Sequence, residues 1–435
     1  LSKTDNWLEQ SRKIVNDGWF LYNKLENLSK KLPTIALIKG FCFGGALELS
    51  LACRYIIAID DPKTSFALPE VQLGIYPGWG GVKRLPEKIG PLNALNAMLT
   101  GKSFNAKKAF KSGLADILVS DRVATATCER LIKVGTKKKE LSIVNKILLG
   151  PLKPLTSLIV VKQLEKKVNK EHYPAPFGIL ELWKKNNGDP TIDVNIHDKM
   201  LGSKTASNLL RIYILKEKLK KLCKKPPINK KNNKNDFPTI KHVHVVGAGT
   251  MGGDIAIWCA IQGLEVTIQD ISHKQLASVI KKANKDIKRK FSSFYDQKKI
   301  QDKIIPDFCG DGVSKADVII EAATENLDSK KNIFSIIEKK AKDNALICSN
   351  TSSIKIEDIA SDLKDPNRII GVHFFNPVAK MPLVEIIKTK NSDSNFLKMA
   401  FSFVHRIKKL PLPVKSSPGF LVNAVLVPYL VSAMR

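Results

Sequence analysis

The chain has 435 residues, a size that holds two or three domains and more than one hydrophobic core. Hydrophobic residues make up 43% and charged residues 26%, which excludes a disordered or fibrous chain, and no apolar run reaches membrane-spanning length. The net charge of +30 raises nucleic acid as a partner, but the lysine runs (137–139, 166–167, 224–225, 230–231) are scattered, without interleaved aromatics, zinc-ligand spacing or an RNA-binding signature, and nucleic acid is set aside. The seven cysteines are odd in number, dispersed and without C-x-x-C, which implies reduced intracellular thiols, mostly in the core, and no metal site. The chain opens on Leu1 rather than Met, and no signal peptide is visible. A cytoplasmic location is expected, with the mitochondrion and peroxisome left open.

The first third contains P-T-I-A-L-I-K-G-F-C-F-G-G-A-L-E-L-S-L-A-C (33–53), which runs strand, glycine turn, helix and places Glu48 one turn inside the helix. S-F-A-L-P-E-V-Q-L-G-I-Y-P-G-W-G-G (65–81) then places Glu70 after a proline at a strand end. Gly44 and Gly45 can present a backbone N–H at a helix start, where an oxyanion binds. Two carboxylates beside such a donor suit general acid/base work on a bound water. Spacing alone leaves a second reading open, in which Glu48 is solvated and Glu70 belongs to an ordinary turn. Residues 125–225 are helix-like with lysine-rich faces. The stretch K-K-P-P-I-N-K-K-N-N-K-N-D-F-P (224–238) is polar, charged and proline-bounded, and reads as a linker.

The most specific segment follows. H-V-H-V-V-G-A-G-T-M-G-G-D-I-A-I-W-C-A-I-Q-G-L-E-V-T-I-Q-D (242–270) is a whole βαβ unit with Gly247, Gly249 and Gly252 spaced G-x-G-x-x-G. The first glycine permits the tight turn, the second lets the backbone approach a pyrophosphate, and the third lets the helix pack close to the strand. The free N–H groups at the helix start, with Thr250 and Met251, would hold that anion. Asp270 lies 23 residues past Gly247, where a carboxylate meets a ribose 2′-OH and repels a 2′-phosphate, so NAD is expected over NADP. Apolar strands at 317–322, 345–349 and 368–374 alternate with helical patterns such as 328–342, which predicts a parallel, doubly wound Rossmann sheet. The end, P-G-F-L-V-N-A-V-L-V-P-Y-L-V-S-A-M-R, reads as an apolar helix that needs a partner surface.

These motifs carry a family resemblance. F-G-G-A-L-E-L, L-P-E-V-Q-L-G and P-G-W-G-G-V-K-R-L-P resemble the enoyl-CoA hydratase/isomerase (crotonase) family. V-V-G-A-G-T-M-G, E-A-A-T-E-N-L, S-N-T-S-S-I, H-F-F-N-P-V and P-G-F-L-V-N resemble 3-hydroxyacyl-CoA dehydrogenases. In this order, joined by a helical segment, they resemble the α subunits of multifunctional fatty-acid oxidation complexes.

By that resemblance Glu48 and Glu70 are the catalytic glutamates that add water across a 2-enoyl-CoA, and Gly45 is one oxyanion-hole donor. Trp79 in the P-G-W-G-G loop is expected to shape the acyl site. His373 is the base that takes the 3-hydroxyl proton, Glu385 orients it, Ser352 positions substrate and Asn423 supports the reacting oxygen. Glu325 and Lys330 contact the cofactor, which is NAD. Ala424 stands where the family usually has a basic residue.

The expected fold is thus a crotonase-like β/α superhelical domain with an incomplete N-terminus (1–125), a helical connector (126–225) and a linker (226–238). An NAD-binding Rossmann domain (239–415) and the truncated start of an all-α domain (416–435) follow. The implied activities are hydration and NAD-dependent oxidation, with acyl-CoA substrates that a basic surface would attract and a thiolase β subunit as partner. Rival readings are a Δ3–Δ2-enoyl-CoA isomerase paired with the dehydrogenase, or a non-catalytic scaffold that docks the thiolase subunit.

Overall fold

The computed structural model describes residues 6–136, 139–224, 239–291 and 293–434; the expected linker at 226–238 lies outside the described residues. The chain divides into two compact units, Leu1–Ile214 and Leu215–Arg435.

Among the described residues the first unit has six short strands: β1 (Ile35–Ile38), β2 (Phe41–Phe43), β3 (Tyr55–Ile59), β4 (Ser65–Ala67), β5 (Phe104–Asn105) and β6 (Ile117–Val119). They form two three-stranded sheets, β1-β3-β6 and β2-β4-β5. The first is parallel throughout; in the second, β2 and β4 are parallel and β5 runs antiparallel to β4. Every residue of β3 (Y-I-I-A-I) is buried, as expected of the central strand of a parallel sheet covered on both faces. The core joins Leu47, Phe66 and Val82 to Ile179, Trp183, Ile196 and Met200. The last four belong to helices Ala175–Asn186 and Val194–Leu201, within the segment expected as a connector. Their apolar residues recur at helical spacing and are stable only against a surface, which this unit supplies.

The second unit is an eight-stranded sheet. Its strands are β7 (His242–Val246), β8 (Glu265–Gln269), β9 (Ile304–Asp307), β10 (Val318–Glu321), β11 (Leu346–Ser349), β12 (Ile369–Phe374), β13 (Leu383–Lys388) and β14 (Leu410–Lys415). The order is β14-β13-β12-β11-β10-β7-β8-β9. Helices cover both faces. Val318 and Ile320 of β10 pack in one cluster with Ile255 of helix Thr250–Ile261. Ile319 packs in another with Phe334 and Ile337 of helix Leu327–Lys340. The expected doubly wound sheet is present, with one correction: β12 and β13 are antiparallel, so β13 and β14 run against the other six strands. The connection 375–382 is too short for the crossover that a parallel pair requires.

The chain steps from β7 outward through β8 to β9, then returns to β10 on the other side of β7. The crevice at the strand ends there is the topological switch point, where ligands of open α/β sheets bind. Gly247 sits in it at φ +102°, a conformation L side chains rarely adopt. A Cβ on Gly252 would lie 1.9 Å from the Gly247 carbonyl oxygen, a backbone atom that cannot give way. Gly252→Ala should therefore cost about 1–3 kcal/mol of stability through overpacking, read as a lowered denaturant midpoint. An unchanged midpoint would show that the helix does not approach β7 this closely.

Candidate active sites

In the first unit the helix Gly45–Ala52 carries Glu48 inward, leaving it 2% exposed. Its Oε1 accepts the backbone N–H groups of Trp79 and Gly81, each at 2.8 Å. Burial pushes the Glu48 carboxyl up to about 7, against the pull of those two hydrogen bonds and of the Arg84 charge. Glu70 opens the 3₁₀ turn Glu70–Leu73 rather than ending a strand. Its Oε2 is buried and has no hydrogen-bond partner. Burial, then the charge of Glu48, raises Glu70 to about 8. Glu70 therefore senses the charge of Glu48, 22 residues earlier in sequence, and the burial of Glu48 sets its solvated alternative aside.

Gly45 is the first residue of its helix, so its N–H has no intrahelical acceptor, whereas the Gly44 N–H is bound to the Ala67 carbonyl at 2.9 Å. A Cβ on Gly44 would lie 2.9 Å from Glu70 Oε1, so the helix start and Glu70 face each other. Trp79 covers this point: a Cβ on Gly45 would lie 2.5 Å from its ring. Its indole N–H donates to the Ile14 carbonyl at 3.2 Å, and Tyr22 stands edge-on to the ring at 5.5 Å.

Two supports here were not anticipated. Arg84, 3% exposed, donates to the Trp79 carbonyl at 2.9 Å and to Glu26 at 3.0 Å. Behind the loop, His197 lies between Ser11 (2.9 Å) and the Tyr76 hydroxyl (2.8 Å). Ser11 donates its proton to the Leu8 carbonyl, so it accepts from His197 Nε2–H, and Tyr76 donates to Nδ1. Burial lowers the His197 pKa, which agrees with this neutral form. These partners are distant in sequence and carry no local motif.

In the second unit, the antiparallel pairing sets His373 directly opposite Glu385. His373 is 5% exposed and Glu385 0%. His373 Nδ1 and Glu385 Oε2 are 2.8 Å apart. Glu385 Oε1 accepts the N–H groups of Leu421 and Val422 at 3.1 and 2.9 Å, at the start of helix Val422–Met434. The next residue, Asn423, donates from Nδ2 to the Ser352 carbonyl at 3.3 Å. Bonds and sequence neighbours thus gather His373, Glu385, Asn423 and Ser352 into one place. Ser352 in turn donates from Oγ to Glu325 Oε1 at 3.2 Å.

Glu325 also accepts from Thr351 Oγ1 at 2.6 Å and from the N–H groups of Ser352 and Ser353 at 2.9 and 3.1 Å. Burial works to raise its pKa, but these bonds and Lys330 hold it down at about 2. Lys330, expected from the resemblance to contact the cofactor, stands between two carboxylates. It is 1% exposed, with its ammonium 2.7 Å from Glu321 and 3.4 Å from Glu325. Glu321, 0% exposed, was not singled out from the sequence; its side-chain partners lie 9 and 28 residues away.

The residues at the switch point fit a dinucleotide. Thr250 is exposed and Met251 half-buried at the start of helix Thr250–Ile261, whose first N–H groups lack intrahelical acceptors. A Cβ on Gly249 would meet nothing within 4 Å, which is open space for a ligand. Asp270 follows β8 and clamps the glycine turn: its carboxylate accepts from the Ala248 and Ser272 N–H groups at 2.7 and 2.8 Å. The remaining lone pairs can accept a hydroxyl.

The raised pKa of Glu70 makes stability depend on pH. The unfolded glutamate releases its proton near its ordinary value of about 4.3, while the folded one keeps it to about 8. The folded state therefore binds the extra proton across that window, and stability falls as pH rises through it. Glu70→Gln removes this term. Its melting temperature should drop less than the wild type's between pH 5 and pH 8, by calorimetry at matched ionic strength; parallel pH profiles would contradict the burial of this carboxyl.

Residues 9–168 match the family enoyl-CoA hydratase/isomerase, and residues 242–417 match 3-hydroxyacyl-CoA dehydrogenase, NAD binding domain. The chain is 33% identical to the fatty acid oxidation complex subunit alpha of Idiomarina loihiensis, over 98% of this chain and 59% of that protein. It is 32% identical to the same subunit of Shewanella loihica, over 97% of this chain and 60% of that protein. Among solved structures, the (S)-3-hydroxybutyryl-CoA dehydrogenase of Ralstonia eutropha is 38% identical over 45% of this chain and 70% of that one, with a TM-score of 0.43. The chain spans about three fifths of the length of the curated relatives it matches. The chain thus joins a segment that matches the enoyl-CoA hydratase/isomerase family to a Rossmann segment that matches the NAD-binding domain of 3-hydroxyacyl-CoA dehydrogenases, and over nearly all its length it is similar to fatty acid oxidation complex α subunits.

Proposed function

We propose that the chain serves two consecutive steps of fatty-acid β-oxidation: hydration of 2-enoyl-CoA to 3-hydroxyacyl-CoA, then NAD-dependent oxidation to 3-oxoacyl-CoA. The observation that carries the reading is the set His373, Glu385, Asn423 and Ser352, gathered by hydrogen bonds and by the Val422–Asn423 chain link beside a dinucleotide crevice. A non-catalytic scaffold has no need to keep a buried carboxylate on a histidine.

In the first unit, Glu48 and Glu70 hold the attacking water. Burial keeps a proton on the pair near neutral pH, so one carboxyl delivers a proton to C2 while the other takes one from the water whose OH adds at C3. The Gly45 N–H faces the thioester oxygen as negative charge develops there. In the second unit, Nδ1–H of His373 donates to Glu385, which leaves the Nε2 lone pair to take the 3-hydroxyl proton. Glu385 stabilises the resulting imidazolium. NAD, when bound, would supply the acceptor for the hydride that leaves C3. Gly247, Gly249, Thr250, Met251 and Gly252 would hold its pyrophosphate, Asp270 its adenosine ribose, and Glu325, backed by Lys330, its far end.

The proposal extends to a division into 1–125, 126–225, 226–238, 239–415 and 416–435. It also extends to a thiolase β subunit as partner and to the bacterial cytoplasm, supported by the similarity to α subunits from two bacteria. Among the described residues no single helix is long and apolar enough to cross a membrane.

His373→Gln should lower oxidation of 3-hydroxyacyl-CoA about 10²–10⁴-fold and leave NAD affinity within a few fold, since the base does not hold the cofactor. Hydration, assayed separately, should be unaffected by His373→Gln and lost in Glu48→Gln. Normal NAD reduction by His373→Gln would remove the base from the mechanism.

Cofactor choice gives an independent check. NAD(H) should bind more tightly than NADP(H) by fluorescence titration, and Asp270→Ala should narrow the gap. Equal affinities in the wild type would rule out Asp270 as the discriminator.

A further inference from the structure

Glu321 is the last residue of β10, fully buried, and has no part in the chemistry above. Its Oε1 accepts from Lys330 Nζ at 2.7 Å and from the Ala323 N–H at 2.9 Å; its Oε2 accepts from Ser349 Oγ at 2.8 Å. Lys330 lies in the first turn of helix Leu327–Lys340, and its ammonium also stands 3.4 Å from Glu325 Oε2. Glu325 in turn gathers Thr351, Ser352 and Ser353. A buried carboxylate thus begins a chain of charge-assisted contacts that ends on the turn after β11.

Such a pair is a poor device for stability. Desolvating two charges offsets most of their attraction, and apolar residues of equal volume often serve as well. What the pair does supply is position. A lysine has a long, freely rotating stem, and a fixed carboxylate beside its ammonium selects one placement.

The sheet order says what that placement is for. Asp270 follows β8, β7 lies between β8 and β10, and Glu325 and Ser352 follow β10 and β11. A dinucleotide with its adenosine ribose at Asp270 and its pyrophosphate at Thr250 must carry its nicotinamide half across the switch point, over β10 and β11. Resting on the NAD-binding reading, we propose that Glu321 is a positioning residue for the nicotinamide half of the cofactor: it fixes Lys330, which fixes Glu325 and the 350–353 turn.

The test compares NADH with ADP, which contains the adenosine and pyrophosphate groups alone. Affinities of both are measured for the wild type, Glu321→Gln, Lys330→Met, the double variant and Ser349→Ala. NADH is followed by its fluorescence and ADP by calorimetry. Glu321→Gln should weaken NADH about tenfold, the order expected for losing a hydrogen bond to a charged group, and leave ADP within about twofold. Lys330→Met should do the same, and the double variant should add nothing further, because both changes break one chain of contacts. Ser349→Ala, which removes a donor to Glu321 and an acceptor of the Thr351 N–H, should weaken NADH as well and leave ADP within about twofold, because it loosens the same chain of contacts. Wild-type NADH affinity in Glu321→Gln, equal loss of NADH and ADP, or additive effects in the double variant would each overturn the proposal. A wild type that binds neither ligand overturns the NAD-binding reading itself, a separate outcome.

Discussion

A carboxylate removed from water must be given donors or keep a proton, and that constraint organises both units. Glu385 shows the first solution. It is fully buried, and its oxygens take His373 on one side and two N–H groups at the start of helix Val422–Met434 on the other. His373 and the adjacent Leu421 and Val422 come from parts of the chain nearly fifty residues apart. The antiparallel turn of β13 against β12 follows the same need, because it sets residue 385 on the same face as residue 373 and directly opposite it. A parallel neighbour, with a helical crossover between the strands, would place the partner far off in sequence.

Glu48 and Glu70 show the second solution. Glu48 receives two backbone donors on one oxygen, and Glu70 is left with an unpartnered Oε2. Both are pushed upward, to about 7 and about 8. A carboxyl in that range can give up or accept a proton near neutral pH, which Glu325, held near 2, cannot do. Glu48 and Glu325 each take two backbone N–H groups, so the difference between an acid/base pair and a fixed counter-charge lies in the hydroxyls and the Lys330 charge that Glu325 receives in addition. The glycines of the 78–81 loop let Trp79 and Gly81 reach Glu48; among the described residues none donates to Glu70 Oε2.

What the sequence made legible follows from the range of the interactions. The βαβ unit at 242–270 was readable because its turn, helix start and acid are set by contacts within thirty residues of chain, and the close approach of Gly252 to Gly247 is local in this sense. His373 and Glu385 were readable because a hairpin joins them. The antiparallel direction was not anticipated from strand periodicity, since alternation is the same in either direction. Glu70 was placed at a strand end and lies in a 3₁₀ turn, a distinction of two residues that proline spacing does not resolve. Glu321 sat unnoticed in E-A-A-T-E-N-L because a buried glutamate at a strand end looks the same in sequence as a solvated one. Only the pairing of β10 with β11 shows Ser349 beside it. The Ser11–His197–Tyr76 array joins residues up to 186 positions apart and leaves no pattern at all. The cysteines, expected mostly in the core, are divided: Cys42, Cys259 and Cys348 are buried, Cys53 and Cys128 half-buried, and Cys309 exposed.

In the proposed mechanism, Ser352 is the residue at which the cofactor side and the substrate side of the second unit meet. Its hydroxyl and N–H are directed to Glu325, whose other oxygen faces Lys330; its carbonyl accepts from Asn423, whose neighbour Val422 caps Glu385. A hydroxyl has one proton to donate, so Ser352 can serve Glu325 or a bound oxygen, but not both at once. The backbone contacts do not compete in this way and remain when the hydroxyl turns. The 350–353 turn is therefore held by its main chain, while its side chain stays free to exchange partners as ligands arrive. That division of labour places a movable donor on a fixed support, which is what a reacting oxygen requires of a group that must meet it in one geometry.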